Sequence, residues 1–264
     1  MIGSISNNST SLLSVFRRNT AEQDRSLQRL ATGKRINSGS DDPAGLIAAV
    51  DLDSALHSLE AESRALQRVN SNATIVDGHL SQIGSMMAEM RGLVVASANG
   101  GGLSDAEVAA NQMRIDSLAA SIQRFAGDAV QSLDGISLPD DGNQKLAQSL
   151  QDAAAEVSTL TSGGAKSLAS GNFSAIQTIV ETGTTAFAEA RGTVGAYQKN
   201  DVEARLASIA EQRESLASAY SNIMDTDYAE EAANLTRSKI LLEANVKVLK
   251  IANQNAATVL NLLS

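Results

Sequence analysis

The sequence predicts an all-α protein: long antiparallel coiled-coil rods with paired terminal helices, and at most a small β-hairpin near the tip. Three observations lead there. Proline stands only at Pro43 and Pro139 of 264 residues, so long windows are free of helix breakers. Leu52, Leu59, Leu66, Ala73, Leu80, Met87 and Val94 recur every seventh residue, with Val69, Val76, Ile83 and Met90 at the second seam position. Hydrophobic residues make up 43% of the chain but aromatic ones only 3%, which suits narrow helix-helix seams of small side chains rather than a bulky core.

The first helix, from about residue 9 to 30, carries Leu13, Phe16, Thr20, Gln23, Leu27 and Leu30 at alternating three- and four-residue steps, a seam with a polar middle. The stretch TGKRINSGSDDPAG, Thr32 to Gly45, interrupts it. Its Gly-Lys pair is not a phosphate loop, because Arg35 follows Lys34 and no glycine stands five positions before Gly33. Asp42 is placed to cap the next helix, Pro43 to occupy its first position and Asp41 to complement its dipole.

A helix from Pro43 to about Ala96 is roughly 80 Å long, more than a globular domain holds. Gly78, Gly84 and Gly92 within it cost up to ~1 kcal/mol each against alanine, so tertiary packing must supply its order. SANGGGLS, Ser97 to Ser104, signals a turn, and Ser104 with Glu107 forms a capping box. The third helix has its seam at Val108, Ile115, Leu118, Ile122 and Phe125, with Gly127 as its expected end.

The middle is the weakest pattern. SLDGISLPDDGN reads as a small hairpin or a loop, Lys145 to Leu160 as a modest helix, and TSGGAKSLASGN as flexible and polar. Helical periodicity resumes with Ile176, Val180, Phe187, Ala190, Val194 and Tyr197. After a phase shift it continues through Val202, Leu206, Ile209, Leu216, Tyr220 and Ile223. A second break, DTDYAEE from Asp225 to Glu231, precedes a last helix with Tyr228, Ala232, Leu235, Leu242, Val246, Leu249, Ala256, Leu260 and Leu263 on one seam. The layout is near-palindromic: short helix, break and rod lead out, and rod, break and short helix lead back.

Several function classes fall away. A net charge of −9 without a basic cluster argues against nucleic acid. The absence of cysteine excludes disulfides and thiolate sites. The N-terminus lacks a basic stretch followed by an apolar run of about 7–15 residues, and nothing approaches the ~20 apolar residues of a membrane span. His57 and His79, the only histidines, are 22 residues apart, roughly 33 Å at helical rise, too far to share a metal. No catalytic fingerprint occurs, and no cofactor is expected. Apolar stripes at both ends of the chain instead imply partners, and identical subunits meeting heterologously give rings or open helical filaments.

At this point the sequence resembles a bacterial flagellin. RLATGKRINSGSDDPAG, from Arg29 to Gly45, is similar to the family's RLSSG-x-RINSA-x-DDAAG segment. Asp225, Asp227, Tyr228, Ala229, Glu231, Arg237, Ile240, Leu241, Ala252, Asn253, Gln254, Val259, Leu260, Leu262 and Leu263 match its C-terminal pattern. The resemblance implies a structural subunit of the extracellular flagellar filament, secreted unfolded through the type III export apparatus. Residues 1–45 and 226–264 would form an inner tube, 46–130 and 173–225 an outer layer of rods, and 131–172 a short variable tip. Leu13, Phe16, Leu27, Leu30, Leu235, Leu242, Val246, Leu249, Leu260 and Leu263 would drive inner-tube assembly. Arg35, Asn37, Asp41, Asp42 and Pro43 would form the spoke between layers. Implied partners are other copies of the chain, an export chaperone at the C-terminal helix, and the filament cap and junction proteins, with no nucleic acid and no membrane.

Departures from the family pattern are informative. The outer variable domains are reduced to about 45 residues. AEMRGLVV, Ala88 to Val95, differs at Glu89 and Gly92 from the segment read by an innate immune receptor. Pro43 is more typical of the hook-filament junction protein, the alternative of the same architecture. A stable helical adaptor would differ from either by having protected termini in the monomer.

Overall fold

The computed structural model describes residues 2–99 and 104–263, with side-chain surroundings at 10–99, 104–252 and 254. The described residues form α1 (Ile2–Thr32), α2 (Pro43–Ala98), α3 (Asp105–Leu133), α4 (Gly142–Ser158), a 3-10 turn (Leu168–Ser170), α5 (Phe173–Tyr197), a π turn (Gln198–Glu203), α6 (Ala204–Met224) and α7 (Tyr228–Leu263). No strand occurs among them, only a single bridge between Lys34 and Asp225. The hairpin option for the middle is therefore set aside. Two compact units result, residues 1–58 with 212–264, and residues 59–211.

The larger unit is held by one hydrophobic cluster. The heptad rows of α2 supply Ala73, Val76, Leu80, Ile83, Met87, Met90 and Val94, all at most 2% exposed. Ile115, Ala119, Ile122 and Ala126 of α3, Leu150 and Val157 of α4, and Ile176, Val180, Phe187 and Val194 of α5 close over them. Close approach is possible because Gly183 is buried: a Cβ there would sit 2.9 Å from Met87 Cε. Four exposed pairs, Arg205 with Glu62, Arg191 with Asp77, Arg91 with Glu181 and Arg114 with Glu89, link α2 to its neighbours. Each contributes about 1 kcal/mol or less, so they fix register more than stability.

Two sequence expectations change, and one left open is decided. The third helix does not stop at Gly127 but runs to Leu133, because Ala126, Ala129 and Leu133 are buried while Gly127 faces open space. Packing there outweighs the ~1 kcal/mol propensity cost of glycine. The segment before α4 is a loop fastened by Asn143, whose Oδ1 accepts from Leu138 N–H and whose Nδ2 donates to the Leu133 and Ile136 carbonyls. The stretch read as flexible is fastened too. Buried Gln112 donates to Leu160 O at 2.8 Å and accepts from Leu168 N–H at 2.7 Å, while Asp116 accepts from Ser162 N–H and Oγ–H. Leu168 is thereby buried.

The phase shift near residue 200 has a structural counterpart. Tyr197 and Val202 both pack toward Leu66 although five residues separate them, and the π turn takes up the extra residue. Gln198 anchors the turn by donating to Asn70 Oδ1 at 2.8 Å. Deleting exposed Asn200 should therefore restore a four-residue step, retain the fold and raise the melting temperature by a few degrees. Thermal unfolding by circular dichroism checks this. A cooperative transition lowered by the deletion would contradict the register argument.

Candidate assembly interface

The two sequence breaks lie together in the unit formed by the chain ends. Helix α1 ends at Gly33, which has φ +71° and donates its N–H to Arg29 O at 2.8 Å. Arg35 N–H then donates to Met224 O at 2.6 Å, and Thr226 N–H donates to Gly33 O at 2.9 Å. The Arg35 guanidinium reaches Ile223 O from Nη2 at 2.8 Å and Nε at 3.2 Å. One residue thus satisfies two carbonyls at the end of α6 and places a cation on the negative end of its dipole.

The remaining spoke residues hold the turn itself. Asn37 Nδ2 donates to Lys34 O. Asp42 Oδ1 accepts from Gly45 N–H at 2.9 Å and caps α2, whose first residue is Pro43. Asp41 does more than face a helix dipole: its Oδ2 accepts from Asn37 N–H, Ser38 N–H and Ser38 Oγ–H. On the other strand of the junction, Asp227 Oδ1 accepts from Ala229 and Glu230 N–H and starts α7. Ile36, at 2% exposure, packs under the turn with Ala49 and Met224.

Neither the meeting of the two breaks nor the contact between Gly33 and Tyr228 is legible in the sequence. A Cβ on Gly33 would lie 2.6 Å from Tyr228 Oη. Gly33→Val should cost roughly 1–3 kcal/mol, from a β-branched residue at positive φ and displacement of the ring. Amide exchange at Arg35 and Thr226 should accelerate roughly tenfold to a hundredfold. Unchanged exchange would mean that the left-handed turn does not hold the junction.

The carboxyl of Asp41 is held below its ordinary value of 3.8, first by the Asn37 N–H and then by the Ser38 hydroxyl and N–H. The unfolded turn binds a proton more readily than the folded one, so its contribution is complete above about 3.8 and is lost as pH falls through the lower folded value. Protection of the Asn37 and Ser38 amides, corrected for intrinsic exchange, should be flat from pH ~7 to ~5 and fall below 3.8. Asp41→Asn should abolish that dependence.

Beyond the junction α1 and α7 pack antiparallel, with Arg29 Nη1 3.5 Å from Glu231 Oε2. The structure divides the ten expected assembly residues. Phe16, Leu30, Leu235, Leu242 and Leu249 are half-buried along the pair. Leu13, Leu27 and Val246 are 43%, 45% and 53% exposed, so within one chain they lie off its seam. The side chains of Leu260 and Leu263 fall outside the described residues. In place of Leu13 and Leu27, α1 turns Asn19 and Ser26 inward, with Thr20 half-buried beside them, and α7 turns Glu231 and Ser238 to meet it. Ile240, Leu241, Val248 and Ile251 are also exposed.

Catalytic geometry is not what this site offers. Among the described residues no group of three or more His, Asp or Glu could hold a metal ion. His57 lies 3.6 Å from Asp53, and His79 packs against the Phe125 ring. What the site offers is a fastened turn and a helix pair with apolar outer faces.

Residues 4–140 match the bacterial flagellin N-terminal helical region, and residues 176–263 its C-terminal helical region. The chain belongs to the bacterial flagellin family. Flagellin FljO of Caulobacter vibrioides is 27% identical over 99% of this chain and 98% of its own. Flagellin of Bacillus subtilis is 26% identical over 93% and 94%, and a flagellar filament 31.3 kDa core protein of Treponema maltophilum 26% over 91% and 92%. Flagellins are structural filament subunits and not enzymes, and these relatives do not favour the junction-protein alternative. No helix among the described residues of this flagellin is long and apolar enough to cross a membrane.

Proposed function

We propose that this flagellin polymerises through its two terminal helices, which form the inner layer of an extracellular filament, while residues 46–130 and 173–225 form the outer layer. The observation that carries the reading is the outward display of apolar side chains by α1 and α7. Leu13, Leu27, Ile240, Leu241, Val246 and Ile251 are each between 43% and 61% exposed, an arrangement that is costly in a free chain and favourable once other copies cover it. Phe16, Leu30, Leu235, Leu242 and Leu249 then hold the two helices of one subunit together.

In the same reading Arg35, Asn37, Asp41, Asp42 and Pro43 are the spoke: the fastened turn joins two layers at a fixed entry angle. An apolar α7 face exposed before assembly also supports capture by an export chaperone, passage through the type III export apparatus, and contacts with cap and junction proteins at the filament ends. Negative-stain electron microscopy after seeding purified protein tests the assembly claim. Tubes of constant diameter are expected. Chains that remain monomeric on competent seeds contradict it.

A further inference from the structure

The seam between α1 and α7 contains a row that the filament reading does not use. On α7, Glu231 and Ser238 are buried and Asn245 is half-buried, each seven residues from the last. On α1, Asn19 and Ser26 are buried, also seven apart. In an antiparallel pair these residues run down the middle of the contact, where a two-helix coil ordinarily places its hydrophobic residues. Glu231 is answered by Arg29. Asn245 is not answered among the described residues: its side-chain Nδ2 is buried without a hydrogen-bond partner there.

We propose that this polar row, and Asn245 above all, keeps α1 and α7 from locking together in the free subunit, so that their apolar faces stay available to other copies of the chain. The proposal rests on the filament reading. A polar seam residue fixes register at a cost in stability, and a buried amide without an acceptor adds to that cost. The free pair is therefore held weakly by its half-buried leucines, while its strongest apolar side chains point away from the seam. Burial of those outer faces against neighbouring subunits then supplies the order that one chain alone lacks. A leucine at position 245 would extend the Leu242 and Leu249 contacts and remove the unsatisfied donor, which would let the pair close by itself.

The test compares the full chain with Asn245→Leu and with Asn245→Ser, which keeps a polar seam. Limited proteolysis of the monomer and the rate of elongation on preformed seeds are measured together. Asn245→Leu is expected to slow cleavage within α1 and α7 about tenfold and to slow elongation severalfold, with Asn245→Ser close to the parent. Cleavage and elongation that both match the parent overturn the proposal, as does either change without the other. A parent chain that fails to elongate on competent seeds removes the filament reading instead, which separates the two failures.

Discussion

Removal of residues 245–264 should abolish filament growth and leave the unit at residues 59–211 folded. The deleted stretch contains Val246, Val248 and Ile251, at 53%, 45% and 56% exposure, together with half-buried Leu249. Covering a Val, Leu or Ile side chain contributes about 1.5–3 kcal/mol, and several such side chains are lost from every subunit at once. The buried cluster of α2, α3, α4 and α5 contains no residue of α7, so its cooperative unfolding should be unchanged. Electron microscopy after seeding, with circular dichroism of the same sample, gives both readouts. Ordinary filaments from the truncated chain would refute the role given to α7.

Phe187→Ala should produce the largest loss of stability from one substitution. Phe187 is 2% exposed in the cluster that also holds Met87, Val157 and Val180. Deleting a buried phenyl ring removes its transfer energy and leaves a cavity, together roughly 3–5 kcal/mol. The surrounding helices relax little, because Gly183 one turn earlier already brings Met87 and Val157 within van der Waals contact. At about 2–4 °C per kcal/mol for a unit of this size, the melting temperature should fall by roughly 10 °C. A fall of only one or two degrees would mean that this cluster is not the core of the unit.

The sequence was most legible where burial is strongest. The α2 rows through Leu80, Met87 and Val94 repeat without interruption because every one of those residues faces the same cluster. The caps were legible for a local reason: Ser104 with Glu107, and Asp42 with Pro43, act through backbone groups two or three residues away. The five-residue step at the π turn showed as a broken period, although its helical geometry did not.

The illegible parts depend on long-range partners. Gln112 looks like any polar residue on a helix until the Leu160 and Leu168 backbone groups are brought to it. Gly127 looks like a stop until Ala129 and Leu133 are seen to be buried beyond it. On α1 the apolar pattern runs through Leu13 and Leu27, which are exposed in the single chain, while Leu12 beside them is half-buried and Ser26 buried. A pattern of hydrophobicity reports which faces are covered eventually, and it does not say whether by the same chain or by another. In the single chain the two helices leave a junction fastened through Gly33, Arg35 and Thr226.

The most direct measurement is amide hydrogen exchange over residues 10–32 and 228–252, read in the free subunit and again in seeded filaments. Weak protection of both helices is expected in the free chain and strong protection after assembly, with the Ile115 to Ala126 stretch of α3 protected in both. Equal protection before and after assembly, or filaments in which α1 and α7 still exchange freely, would contradict the claim that these helices are completed by other copies.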